Sequence, residues 1–270
     1  MKLQLLIVTM NQKDHSLLER MNVQTTAIVG NQCDKNSIEE FDYNGNHIKY
    51  LNFAERGVGL NRNNGLMRAD ADIVLFADDD MVYVDGYEKG VLDAFSLHPD
   101  ADAIIFSVKI TKNGSLQINL QNKNERAHLY NSLKYGTYLI AAKRQSLLKS
   151  NISFSQLFGG GCMYGSGEDS LFIMEMFKSG LKVYKSGFCL GENKKDSSTW
   201  FNGFNEKYIF DKGAWFKCAC QKWPLFRLFK YYWVWRYSQQ SQYSYLKTLK
   251  IFNKGKKSFE CLIPFIGDKT

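Results

Sequence analysis

Residues 3–9 form a mostly apolar run, interrupted at Gln4, that leads to the polar Asn11, the pattern of a strand buried on both faces of a parallel sheet. Residues 15–21 read as a short helix. Apolar runs at 25–29, stopped by Gly30-Asn31, and at 48–53 read as further strands. A helix is expected over 59–69, entered through a turn at Gly57 and Gly59, and another over 87–97, ending before Pro99. Between them, the apolar strand 72–77 runs straight into Asp78-Asp79-Asp80. Strand and helix alternating at this spacing predict a parallel sheet with right-handed crossovers. Ligands of such sheets bind at the carboxyl ends of the strands. Thr9, Asn11, Asn31 and Asp78 to Asp80 therefore fall on one edge.

Beyond residue 100 the pattern changes. Residues 103–111 read as a strand, Asn113-Gly114 as a hairpin turn, and Leu116, Ile118 and Leu120 as the alternating apolar positions of the return strand. A strand at 138–142 precedes a glycine-rich loop from Gly159 to Gly167. A helix over 168–179, stopped by Gly180, leads to a strand at 181–184. From 223 to about 250 the chain reads as helix, broken around 238–241. No internal repeat is visible.

Composition narrows the class. The 270 residues are 44% hydrophobic and 23% charged, which excludes a disordered or collagen-like chain. Three prolines leave no Pro-rich linker, so one large α/β domain with an extension is expected. The six cysteines form no C-x-x-C pair, which points to a reduced, cytosolic protein. The four histidines have no zinc-site spacing. The N-terminal apolar run is too short for a signal peptide, and no run approaches the ~18 to 20 residues of a spanning helix. Retention inside the cell is the expectation. The formal charge of +8 is uneven: residues 221–270 hold ten basic and two acidic residues, while the rest is balanced.

Three adjacent acids at a strand end repel one another and persist most easily beside a cation. Oxygen-only ligands suit Mg²⁺ or Mn²⁺, usually completed by substrate phosphates. The same residues fit a second chemistry, since Asp78-x-Asp80-x-Val82 resembles the nucleophile loop of haloacid-dehalogenase-type phosphotransferases, with Asp78 attacked. That loop normally follows the first strand, whereas this one follows the fourth. A non-catalytic sugar- or membrane-binding protein on the same fold is a third reading.

Two further segments favour transfer of a sugar. Upstream lies Gly57-Val58-Gly59-Leu60-Asn61-Arg62-Asn63, and downstream Gly167-Glu168-Asp169-Ser170. With the acid triple between them, and Thr9 and Asn31 at strand ends, the sequence resembles glycosyltransferase family 2, the inverting nucleotide-sugar enzymes. The resemblance covers about residues 1–212. It implies a GT-A-like, Rossmann-type, mostly parallel sheet flanked by helices, with a C-terminal basic aromatic helical extension. The expected division is a catalytic domain over 1–215 (nucleotide-sugar half 1–100, acceptor half 101–215) and the extension over 216–270.

The resemblance also implies roles. Asp80, with Asp78, would hold Mn²⁺ or Mg²⁺. Thr9, Asn11, Asn31, Arg62, Asp78 and Asp79 would bind the nucleotide sugar, favouring a UDP-sugar, with Asn31 and Asp34 where the family usually carries a base-reading acid. Asp169 would be the base that accepts the acceptor's proton, and Glu168 would orient the acceptor, a glycan or lipid-linked hydroxyl in cell-surface polysaccharide synthesis. Ser166-x-x-Asp169 also reads as a capping box. No histidine follows His128, so Glu192 or Asp196 stands in for the family's later metal ligand.

The tail is a separate question. Nine basic residues over 222–257 are interleaved with Trp223, Phe226, Phe229, Tyr231, Tyr232, Trp233, Trp235 and Tyr237. Basic groups attract anionic head groups, and Trp and Tyr favour the interface. This predicts peripheral attachment to an anionic membrane surface on the cytoplasmic side. Packing of the tail as helices on the body is the competing reading. Nucleic acid is not expected as a partner, because the neutral body continues no basic groove.

Overall fold

The computed structural model describes residues 1–112, 115–119, 125–194 and 203–265. The expected Asn113-Gly114 turn, Leu120 and Asp196 lie outside them. Among the described residues, eleven strands form a single sheet. In chain order the elements begin with β1 (Leu3–Met10), α1 (Leu17–Arg20), β2 (Thr26–Gln32), β3 (Ser37–Tyr43), β4 (Asn46–Phe53) and α2 (Val58–Arg68). They continue with β5 (Ile73–Asp78), β6 (Met81–Tyr83), α3 (Tyr87–Leu97), β7 (Ala103–Lys112), β8 (Ser115–Asn119), β9 (Glu125–Arg126) and α4 (Leu129–Ser132). The rest are β10 (Ile140–Lys143), α5 (Arg144–Lys149), α6 (Glu168–Lys178), β11 (Val183–Asn193), α7 (Glu206–Lys222), α8 (Lys230–Gln240) and α9 (Tyr245–Cys261).

The sheet runs β3-β4-β2-β1-β5-β10-β7-β11-β6, with β8 beside β7 and β9 beside β11. The four strands β4-β2-β1-β5 are parallel, as are β7 and β11. β10 is antiparallel to both β5 and β7 and so joins the two parallel halves. Strand registry does most of the work of building the site. Thr9 pairs with Asn31, Asn31 with Asn52, and Val8 with Asp78, so the polar ends of four strands form one row. Behind that row the strands are apolar and buried on both faces.

Several expectations are corrected. The strand expected at 181–184 runs from Val183 to Asn193, with register shifts against β7 at Lys185/Cys189 and Cys189/Glu192. Its bulged, mixed-polarity second half carries no clean alternation, which hid it. β3 was not anticipated because it is a polar edge strand on β4. The start of the strand expected at 138–142 is a 3-10 turn, Thr137–Leu139, with the strand proper in β10.

A second core lies beyond the sheet. Phe158, Tyr164, Leu171 and Met174 pack with Phe210, Trp215, Phe216, Phe226, Val234, Ile251 and Phe252. α7 and α9 cross at two glycines. A Cβ on Gly213 would stand 2.0 Å from the Phe252 carbonyl oxygen, and one on Gly255 only 1.9 Å from that of Phe210. The tail is thus docked on the body through α7, as the competing reading held. Among the described residues no helix is long and apolar enough to cross a membrane.

Candidate active site

α2 buries a polar face, which is unusual for a helix lying on a sheet. Asn61 donates to the Gly30 carbonyl at 2.7 Å. The Asn63 amide donates to the Phe154 carbonyl at 2.9 Å and accepts from the Phe154 N–H at 2.8 Å. These pegs fix the helix, and Arg62, between them, is only 3% exposed. Its guanidinium donates to Asp78 Oδ1 at 2.8 Å, to Asp169 Oδ1 at 3.0 Å and to Glu168 Oε1 at 3.3 Å. It lies 5.2 Å over the Phe154 ring, which stacks on Phe172 at 3.9 Å. Burial works against the charge, but Asp169, Asp78 and Glu168 together raise the Arg62 pKa and hold it cationic. The cation that the acid triple calls for is, at Asp78, this arginine.

The three acids diverge to different partners. Asp79 accepts from the Thr9 hydroxyl at 2.6 Å, and Asp80 Oδ1 from the Asn193 amide at 2.7 Å. Asn31 is fully buried, and its amide is committed to the Gln12 backbone and to Asn52. It therefore sits behind the rim and holds the strand ends in register. Asn11 is exposed on the rim with a left-handed backbone, φ 55°. Asp34, expected near the base, pairs with Arg56 at 2.8 Å.

Across the cleft, α6 opens with Glu168 and Asp169. No side-chain cap forms at its N-terminus, where Gly167 is the N-cap, so the expected capping box is absent. Asp169 is drawn away instead: its Oδ1 accepts from Arg62 and, at 2.6 Å, from the buried Thr137 hydroxyl. Both bonds fall on the same oxygen. Burial, then the nearby Asp169, push Glu168 up to about 7, against the pull of Arg62. A Cβ on Gly159 would stand 2.9 Å from the Glu168 carboxyl carbon, and the residue has φ 113°, so the loop fits against Glu168 only with glycine there. Lys212 of α7 donates to the Ser166 hydroxyl at 3.1 Å, and burial lowers its pKa.

The structure thus gathers Thr9, Arg62, Asp78, Asp79, Asp80, Glu168 and Asp169 where the strand ends meet the start of α6. Thr137, Asn193 and Lys212 were not expected. Thr137 is a single hydroxyl after Gly136 at the head of an apolar run, and its neighbour in space is 32 residues away. Glu192 stands beside Val82 in the β6–β11 pair, one residue before Asn193. Among the described residues no group of three His, Cys, Asp or Glu is placed to hold a metal ion by itself. The donor set is nonetheless carboxylate oxygen, which fits a Mg²⁺ or Mn²⁺ ion held by one or two side chains and completed by phosphates.

A mixed sheet whose parallel strands end at Thr9, Asn31, Asn52 and Asp78, facing a helix that opens with two acids, is a GT-A fold. Residues 28–156, a little under half of the chain, match the model described as glycosyl transferase family 2, which supports a glycosyltransferase. It is similar to S. aureus TarS 1–349 in complex with UDP-GlcNAc, at 14% identity and a TM-score of 0.63, over 96% of this chain and 73% of that one. The UDP complex of the same protein gives 14% identity and a TM-score of 0.60, over 96% and 71%. Longer TarS gives 0.55 at 14% identity, over 95% and 43%. A comparison with curated proteins found no match. The match favours the glycosyltransferase reading over the phosphotransferase one.

Proposed function

We propose that the enzyme moves a sugar from a nucleoside diphosphate, UDP by preference, to a hydroxyl of a glycan or lipid-linked acceptor, with inversion at the anomeric carbon. The observation that carries the reading is the buried Arg62, which ties Asp78 on the donor side to Glu168 and Asp169 on the acceptor side. The UDP preference is supported by the UDP and UDP-GlcNAc complexes of the similar TarS. Asp80, with Asp78, would hold Mn²⁺ or Mg²⁺, and Thr9, Asn11, Asp78 and Asp79 would line the nucleotide. Asn31 supports that surface from behind. When bound, the ion offsets the charge that grows on the departing diphosphate.

Asp169 Oδ2 accepts the hydroxyl proton as the acceptor oxygen bonds to the anomeric carbon. The bond from that carbon to the diphosphate oxygen breaks, and its electron pair leaves with the nucleoside diphosphate. Arg62 and Thr137 hold Asp169 through the other oxygen, and Glu168 orients the acceptor. Residues 1–215 would form the catalytic unit, working in the cytoplasm on a cell-surface polysaccharide.

Calorimetry with UDP, GDP and CDP, with and without Mn²⁺, tests the reading. UDP should bind best, only with Mn²⁺, and Asp80→Asn should abolish that metal-dependent binding. Asp169→Asn should keep nucleotide affinity and slow transfer by about 10²- to 10⁴-fold. Retained transfer in Asp169→Asn would overturn the assignment of the base.

A further inference from the structure

The second core leaves one apolar face uncovered. Among the described residues, the segment from Pro224 into α8 exposes Leu225, Leu228, Phe229, Tyr231, Tyr232 and Trp235, with Leu228 77% and Trp235 52% exposed. Leu228, Tyr231, Tyr232 and Trp235 recur at helical spacing and form one stripe. The opposite side of α8 is already used: Val234 is fully buried, and Trp233 and Tyr237 pack into the second core. A helix that is apolar on both sides has more apolar surface than the described residues cover.

Charge indicates what covers the outer face. From Lys212 to Phe259 the sequence contains no acidic residue. Arg227 and Arg236 are exposed beside the stripe, and Lys230 lies 5.2 Å over the Tyr231 ring. Lys217, Lys222 and Lys247 are paired to Glu260, Glu175 and Glu206 on other segments. Aromatic rings, leucines and arginines without intervening acids suit the boundary between head groups and acyl chains of an anionic bilayer. A second copy of the chain would bring the same positive charge to the same face.

We infer that the face formed by Leu225, Leu228, Phe229, Tyr231, Tyr232 and Trp235 docks on an anionic lipid surface. It stands close to the catalytic cleft. Trp233 packs on Trp215 at 5.1 Å between ring centres, and the Trp215 indole donates to Ser170, next to Asp169, at 3.0 Å. Docking would hold the acceptor side of the cleft near the membrane. That consequence rests on the proposed base, whereas the docking itself does not.

The test is flotation of the full chain with vesicles of phosphatidylcholine plus phosphatidylglycerol, and with phosphatidylcholine alone. Binding is expected only with the anionic lipid and should weaken with salt. Arg227→Gln and Arg236→Gln should each weaken it roughly fivefold, and Leu228→Ser with Trp235→Ser should abolish it. These side chains are exposed, and an unchanged melting temperature would confirm that the variants fold. Absence of flotation, or flotation that survives the Leu228/Trp235 pair, overturns the proposal. So does a dimer in sedimentation that the same pair dissolves while vesicle binding persists. Vesicle binding is read without any sugar donor, so failure of the glycosyl-transfer reading would not imitate failure here.

Discussion

The α2 helix and the segment from Pro224 into α8 depart from the ordinary partition of residues in opposite directions. α2 takes an arginine and three asparagines inside, with Arg62 3% exposed. The later segment leaves leucines and aromatic rings outside, with Leu228 77% exposed. In α2 most of the departure is compensated within the chain: Asn61, Arg62 and Asn63 meet carbonyl, amide and carboxylate partners at 3.3 Å or less, although Asn61 Oδ1 and Arg62 Nε are buried without a partner. In the later segment nothing among the described residues covers the apolar stripe. Buried polarity that is satisfied internally builds a preorganised site. Exposed apolarity left uncovered points to something outside the molecule.

The largest effect expected from this contrast is on stability. Arg62→Met leaves three carboxylates clustered without their cation, and should cost about 3–5 kcal/mol. Leu228→Ser should change stability by less than about 0.5 kcal/mol, because the side chain has little native packing to lose. Urea unfolding of both variants measures the difference. Comparable losses would break the contrast. Adding Asp169→Asn to Arg62→Met should recover part of the loss, since one of the stranded charges is then gone.

The parallel half was readable from sequence because strands buried on both faces leave continuous apolar runs, as at residues 5–8 and 73–77. The acid triple and the Glu168-Asp169 pair were readable as chemistry. Their shared partner was not, since Arg62 lies 107 positions from Asp169 and the fold alone brings them together. Asn31 was expected at the nucleotide but spends its amide on Gln12 and Asn52, a distinction no local pattern carries. The tail divides in the same way. Its aromatic richness was visible, but Trp233 and Trp235, two positions apart, fall on the inner and outer sides of α8 only once the helix is docked.

A smaller effect concerns the orientation of the proposed base. Thr137→Val keeps the shape of a fully buried side chain and removes the hydroxyl that donates to Asp169 Oδ1. A hydrogen bond to a charged group contributes about 1.5–3 kcal/mol, so kcat should fall about ten- to a hundredfold with the donor KM unchanged. Thr137→Ser restores a donor at the same place and should restore most of the rate. A fall in KM and kcat together, not rescued by serine, would mean that Thr137 only supports the fold.

The smallest effect is on the pH dependence of stability, and it depends on Glu168. Burial and then the neighbouring Asp169 raise this carboxyl from an ordinary 4.5 to about 7. The folded protein therefore binds the proton more tightly than the unfolded chain does. By linkage, the stability tied to this group is fully present below about 4.5 and is lost as pH rises through about 7. Glu168→Gln keeps the side chain neutral at every pH, so its melting temperature should fall less between those two limits than that of the unaltered protein. An unchanged slope would mean that the buried acid is ionised throughout and that Arg62 alone stabilises it. Arg227→Gln, on the exposed face, lies outside the cluster of Arg62, Glu168 and Asp169 and should leave the slope as it was. A pH response that follows Glu168 and ignores Arg227 would separate the two regions by the way each carries its charge: one shared and buried among its own residues, the other held out toward a partner.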